Sequence, residues 1–464
     1  MRSAKDIFNL FIQALKGTEK EFTTGSINRA IFLLSIPMIA EMVMESLFAV
    51  ADVFFVSQIS VNAVATVGLT ESVLMIIYSV AIGLSMATTA VVARRVGEKK
   101  FKKAADAGFQ SVFLALILSA VLGIAGYFGA EHMLRWMGGE EDLIAEGVSY
   151  TRIMFAGNAS IILLFLINAI FRGAGDASIA MRSLWIANGL NILLDPILIF
   201  GWGPFPEMGV AGAAVATTIG RSTGVIYQLY FLLNGKSLIK IGWNNVVIRF
   251  KTVVELIKIS ISGMGQFLIE TASWIFLVRV MSLFGAEALA GYTIAFRVIV
   301  FTILPSWGLS NAAATLVGQN LGAGKPERAE TSVWRTALYN MIFLGLVSVI
   351  FYLAAEPIIG IFTQHPAVMD IGISALHIIC FGYVFFAYGM VISQAFNGAG
   401  DTKTPLIVNF FVFWVIQIPL SYWLAVMLDW QAEGVFFTIA LCHSLQAVIS
   451  VLLFRRGKWK TVDV

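Results

Sequence analysis

Charge is what this 464-residue sequence has least of: Asp, Glu, Lys and Arg supply 13% of it, against about 25% in soluble globular chains. With 58% hydrophobic residues, that shortage excludes a solvated globular surface. Cysteine is almost absent. Cys380 and Cys442 both fall in long apolar runs, where a thiol is a small apolar filler rather than a disulfide partner or a ligand. The histidines His132, His365, His377 and His443 show no ligand spacing, so neither a metal cluster nor a catalytic centre has a motif to rest on. The start lacks the short apolar core and small-residue cleavage site of a removable leader, so the first long apolar run is expected to insert itself.

What is abundant is apolar length. Twelve stretches, 31–57, 64–91, 108–130, 148–171, 183–200, 209–234, 253–284, 288–316, 333–355, 373–396, 405–428 and 434–455, are each able to cross a hydrocarbon core of about 30 Å as a helix. Lys and Arg alternate between the loops. Arg94, Arg95, Lys99, Lys100, Lys102 and Lys103 follow span 2, Arg172 and Arg182 span 4, Lys236, Lys240, Arg249 and Lys251 span 6, Lys325 and Arg328 span 8, and Lys403 span 10. Arg455, Arg456, Lys458 and Lys460 follow span 12, while the opposite loops are acidic apart from Arg135. Because positive loops stay cytoplasmic, both termini are expected inside. Ahead of span 1, Ile7, Phe8, Leu10, Phe11, Ala14 and Leu15 fit one face of a surface helix or a frayed end.

The sequence repeats itself. Phe171-Arg172-Gly173-Ala174-Gly175-Asp176 returns as Phe396-Asn397-Gly398-Ala399-Gly400-Asp401, a displacement of 225 residues that also carries Gly97 to Gly322 and Gly209 to Gly434. An even shift of six spans makes the halves parallel repeats about an axis along the membrane normal. The expected fold is therefore an all-α polytopic membrane protein, twelve transmembrane helices in two pseudo-symmetric six-helix lobes. Its parts are an N-terminal segment (1–30), an N-lobe (31–234), a linker (235–252), a C-lobe (253–455) and a tail (456–464). A central cavity would lie between the lobes. In each F-x-G-A-G-D turn the Asp is expected to accept from the first amides of the next helix.

Charges inside spans cost about 2.5 to 3.5 kcal/mol each on insertion scales and so need a partner or a task. At 100° per residue, Glu45 and Asp52 lie about 40° and 20° round from Glu41, on one face of span 1. In span 5, Asn188, Asn191 and Asp195 share a face, and Pro196 frees the carbonyl of Ile192. Asp52 and Asp195 fall at similar depth. They form an oxygen set that suits Na⁺ or a shared proton, or else hydrogen bonds that only tie helices together. Glu45 shifted by 225 lands on Glu270, either a cavity carboxylate or one half of a static pair with Arg297. Span 11 offers Gln417 and Pro419 but no acid, biasing ion coupling to the first half. Trp274, Trp307, Trp414 and Trp423 are candidate cavity walls or ordinary lipid-facing aromatics.

These residues resemble the multidrug and toxic compound extrusion (MATE) transporters along essentially the whole chain. The likeness is carried by Leu34-Ser-Ile-Pro37-Met, Ala51-Asp52-Val-Phe-Phe-Val56, the Phe171–Asp176 turn, Asn191 with Asp195-Pro196, Gly209-Val-Ala-Gly-Ala-Ala214 and Leu316-Val-Gly-Gln-Asn-Leu-Gly322. The resemblance implies a cation site of Asp52, Asn191, Asp195 and Thr217 for Na⁺ or H⁺, and a Pro37 that bends span 1 as the site empties. Asp52 with Asp195 looks like the DinF-like branch, and Glu270 like the acid of the NorM-like branch, whose further carboxylate is missing around Tyr388. Cavity candidates are Glu41, Glu45, Asn188, Glu270, Trp274, Arg297 and Tyr388. The expected function is secondary active efflux of organic cations or amphiphiles from the plasma (inner) membrane by a monomer. It involves no cofactor, nucleic acid or enzymatic step. A flippase for lipid-linked oligosaccharide is the alternative, disfavoured by an acidic membrane interior.

Overall fold

Backbone polar groups in hydrocarbon must be satisfied within the chain, so long apolar runs have no option but helix. The computed structural model describes residues 4–17, 21–235 and 237–464; Lys236, counted above among the linker's basic residues, lies outside them. Among the described residues there is no β-strand. The helices are α1 (Ala4–Lys16), α2 (Ile27–Val56), α3 (Val61–Gly97), α4 (Phe101–Trp136), α5 (Glu141–Ala156), α6 (Asn158–Ala174), α7 (Ala177–Phe200) and α8 (Val210–Asn234). After the linker come α9 (Phe250–Met281), α10 (Ala286–Gly322), α11 (Pro326–Leu353), α12 (Ala355–Gly360), α13 (Pro366–Phe381), α14 (Tyr383–Ala399), α15 (Lys403–Met427, wound as π-helix over Phe410–Gln417 and Trp423–Met427) and α16 (Gln431–Arg455). Among the described residues nine helices are long and apolar enough to span a membrane, eleven when the bent pairs α5/α6 and α13/α14 each count as one. Helix α8 makes the twelfth at 25 residues; its Thr217, Thr218, Arg221, Ser222, Thr223 and Gln228 keep it short of that apolarity.

Two of the twelve expected spans are not single rods. Span 4 breaks by 41° at Gly157, and span 10 by 57° at Gly382, positions related by the same 225-residue displacement. At the first break Asn158 turns its side-chain amide to the Ser119 carbonyl (3.0 Å), and Ser160 donates to Gly157 O (2.8 Å). These bonds compete with the backbone ladder. Shifted by 225, α3 lands on α10, α5 on α13 and α6 on α14, end for end. Most helices also run past the apolar stretches. Arg94 and Arg95 complete α3, and Arg172 lies inside α6 rather than in a loop.

Each half buries an apolar core, and Val253, Leu256 and Ile259 of α9 join that of the first half. The halves meet through the ends of α2, α3, α9 and α10 that lie nearer the basic loops. Gly83 packs on Gly263, Gly308 on the Met38 carbonyl, Gly97 on the Gln319 carbonyl and Gly322 on the Arg94 carbonyl, contacts that leave no room for a Cβ. Thr315 Oγ1 donates to Arg172 O (3.1 Å), and Gln319 Nε2 to Gly173 O (3.0 Å). The N-terminal segment straps this seam: Lys325 and Arg328 donate to the carbonyls of Thr23, Gly25, Phe22 and Thr24. Leu10 and Ala14 of α1 pack inward with Phe22, Leu309 and Leu316, while Phe8 and Phe11 stay exposed. At the opposite end Glu71 of α3 and Arg297 of α10 are exposed.

The two repeated turns differ. Gly175 and Gly400 both cap their helices at φ 90°, a left-handed conformation that glycine adopts without strain. Asp401 accepts from Thr404 N (3.2 Å) and Oγ1 (2.7 Å), at the start of α15 as expected. Asp176 instead accepts from Ser237 Oγ (2.6 Å) and Leu238 N (3.1 Å), pinning the linker rather than capping α7. Asp106 holds the same linker through Asn245 (2.7 Å) and Arg249 (3.0 Å).

Candidate cation site and central cavity

Helices α7 and α8 approach closely because Gly212, Gly220 and Gly224 of α8 lie against the backbone of α7 at Leu198, Ala187 and Ser183. That approach sets Asn191 beside Thr217, the amide donating to the hydroxyl at 3.0 Å. One turn on, Asp195 is completely buried, and neither of its oxygens has a donor; Asn191 Oδ1 is likewise without one. Asp52, 7% exposed near the end of α2, is close enough for its charge to act on Asp195. Pro196 lies within an unbroken α7, and Pro37 within an unbroken α2. Among the described residues no three His, Cys, Asp or Glu side chains cluster as a metal site. The set here is two carboxylates, an amide oxygen and a hydroxyl. Orphaned buried acceptors of this kind fit a hard cation or a proton, since each unsatisfied group otherwise costs about 1–3 kcal/mol.

Two arginines absent from the sequence-based site complete the N-lobe interior. Arg221 of α8 pairs with Glu45 (3.2 Å), and Asn188 donates to the other Glu45 oxygen (2.8 Å). Arg172 pairs with Glu41 (3.2 Å), which also accepts from Asn168 (2.9 Å); Ser183 and Gln228 extend that network. Glu41 and Asn188, candidate cavity residues by face and spacing, therefore stand behind the cavity wall as partners of groups that line it. The signal for Arg221 was a lone basic residue inside span 6. Arg172 falls where the sequence predicts a loop, because the apolar stretch stops one residue before it.

Two contiguous cavities of about 270 and 280 Å³ lie between the lobes. They share Ile82 and Met86 from the N-lobe and Phe267, Leu304, Trp307, Gln394 and Asn397 from the C-lobe. Glu45 and Arg172 line the first, Glu270 and Trp274 the second. The static pair of Glu270 with Arg297 does not form: Arg297 is exposed on α10, and the carboxylate its charge acts on is Glu71 in the other lobe. Tyr388 packs on the C-lobe core that holds Val391, Ile392 and Ala395 instead of lining the cavity. Trp274 and Trp307 are wall residues, whereas Trp414 donates to Ile269 O (2.9 Å) and Trp423 is exposed on the bundle. His443, which has no motif, sits at the C-lobe wall among Trp274, Phe386 and Phe413, with ring centroids 5.9, 4.7 and 4.9 Å away.

Two helical lobes around a shared cavity, with buried carboxylates beside it, have the architecture of a membrane transporter. The chain belongs to the MatE family, whose model matches residues 37–197 and again 262–423, two segments starting 225 residues apart. A probable multidrug resistance protein NorM from Thermotoga maritima is 27% identical over 94% of this chain and 93% of its own. An FAD transporter from Shewanella oneidensis is 24% identical over 93% of this chain and 95% of its own. A solved outward-facing multidrug resistance MATE family transporter of the MOP superfamily superposes with a TM-score of 0.90 at 27% identity, covering 96% of this chain and 99% of that one.

Proposed function

We propose that this transporter exports small cationic or amphipathic molecules in exchange for Na⁺ or H⁺, with the cation held at Asp52, Asn191, Asp195 and Thr217. The observation that carries the reading is the set of buried acceptor oxygens on Asp195 and Asn191 with no protein donor. A cation or proton there removes the cost of leaving them bare. Carboxylates at Glu45 and Glu270 and the rings of Trp274 and Trp307 on the cavity wall favour a lipophilic cation over a polyanionic lipid head group. The names of the multidrug relatives support the same class. With the basic loops on the cytoplasmic side, the glycine-packed seam lies between the cavity and the cytoplasm.

Ethidium efflux from proteoliposomes under an imposed Na⁺ gradient, and separately under a pH gradient, tests this. One gradient is expected to drive efflux, and Asp52→Asn to abolish it. Undiminished gradient-driven efflux by that variant would rule out the assigned site.

A further inference from the structure

The proposal concerns Arg221, and it rests on the cation-exchange reading above. Arg221 is 2% exposed. Its Nη2 donates to Glu45 Oε1 at 3.2 Å, and Glu45 lines the cavity. Four residues earlier on α8, about 6 Å along the axis, Thr217 belongs to the candidate cation site through Asn191. The guanidinium thus stands between the two sites, flanked by Phe48 and Phe165 at 5.3 and 5.8 Å. Those rings favour a cation while excluding water.

The hydrogen-bond ledger is incomplete on both sides. Nε and Nη1 of Arg221 have no acceptor, while both Asp195 oxygens and Asn191 Oδ1 have no donor. The charge of Asp52 acts on Arg221. Arginine is the side chain suited to this position, because it carries five donors in a fixed fork and stays charged.

We propose that Arg221 is a tethered internal cation that makes substrate and coupling ion compete without touching each other. With Na⁺ or a proton at Asp52 and Asp195, the guanidinium belongs to Glu45. When the positive end of a substrate takes Glu45, the guanidinium turns its free N–H groups to Asp52, the carboxylate of the cation site whose charge already acts on it, and expels the ion. Both ligands bound together would strand Arg221 as a buried unpaired charge. Neither bound would leave one carboxylate site uncompensated. Each of those states is strongly disfavoured, so the populated states are the two with a single ligand, which is what exchange requires. The equivalent C-lobe residue is Gln446, displaced by 225 and uncharged, so the relay belongs to one lobe.

The test is ethidium binding to the full chain in nanodiscs, followed by fluorescence in choline, in Na⁺, and at neutral and acid pH. In the unaltered protein the driving ion is expected to weaken ethidium binding by roughly 5–150-fold. Arg221→Gln should remove that dependence while Na⁺ or proton binding, measured without ethidium, persists. Arg221→Lys, which keeps the charge, should restore part of it. Should Arg221→Gln not fold, the double variant with Glu45→Gln leaves no unpaired charge, and its residual ethidium binding should be indifferent to the ion. Wild-type ion dependence in either folded variant would overturn the relay and leave cation exchange standing. Ethidium binding that ignores both ions in the unaltered protein would overturn the exchange reading, and the relay with it.

Discussion

The two lobes are one scaffold carrying two different interiors. Displacement by 225 turns Glu41 with Arg172 into Gln266 with Asn397, so an ion pair at 3.2 Å becomes an amide pair at 3.0 Å. Glu45 becomes Glu270, but its partners Arg221 and Asn188 become Gln446 and Phe413. Asp52, Asn191, Asp195 and Thr217 become Leu277, Ile416, Leu420 and Cys442. The N-lobe is thus a charged, internally compensated half with spare acceptors. The C-lobe keeps one carboxylate, on an aromatic wall, with no ion-pair partner among the described residues. The lesson is that duplication preserves helix ends and glycine turns, because packing demands them, while buried polar residues diverge as each half takes its own task.

The largest effect separating the lobes should come from Asp195→Asn. Gradient-driven ethidium efflux should fall by roughly two orders of magnitude, as expected when coupling of up to about 3 kcal/mol is removed. Mutation of the equivalent Leu420→Asn should leave efflux within a few-fold of the unaltered protein. Equal losses in the two would break the asymmetry.

Stability offers the second contrast. With Na⁺ or a proton saturating the Asp52 and Asp195 site, Glu45→Gln leaves Arg221 buried without a partner and should cost about 3 kcal/mol. Glu270→Gln removes no ion pair and should change stability by less than about 1 kcal/mol. Urea unfolding in detergent micelles measures both. A smaller effect is expected where α7 meets α8: Gly220→Ala places a methyl against Ala187 O at 2.5 Å. It should cost about 1–3 kcal/mol and weaken cation binding in the N-lobe while ethidium binding at neutral pH without Na⁺ is retained.

Much of this asymmetry was open to reading in the sequence. The twelve apolar stretches, the alternating basic loops and the single displacement follow from hydropathy and spacing, which act along the chain. Asp52, Asn191 and Asp195 are conspicuous because a carboxylate or amide inside an apolar run is costly wherever it points. The bends at Gly157 and Gly382 escaped because apolarity continues across both, and a break in direction leaves no trace in a hydropathy window. Pairings escaped for a different reason. Whether Glu270 meets Arg297, or Glu45 meets Arg221, depends on how helices distant in sequence rotate against each other, and helical spacing fixes only the face within one helix. The same limit applied to Asp176: its turn matches that of Asp401, but only the first has a linker packed within its reach.

The central claim is that the coupling cation sits in the N-lobe alone. The direct measurement is ligand-free cation binding to purified protein, by sodium NMR for Na⁺ and by an indicator dye for proton uptake, in Asp195→Asn and Glu270→Gln side by side. The account predicts that Asp195→Asn loses the bound cation and Glu270→Gln keeps it. Cation binding that survives Asp195→Asn and disappears in Glu270→Gln would contradict it.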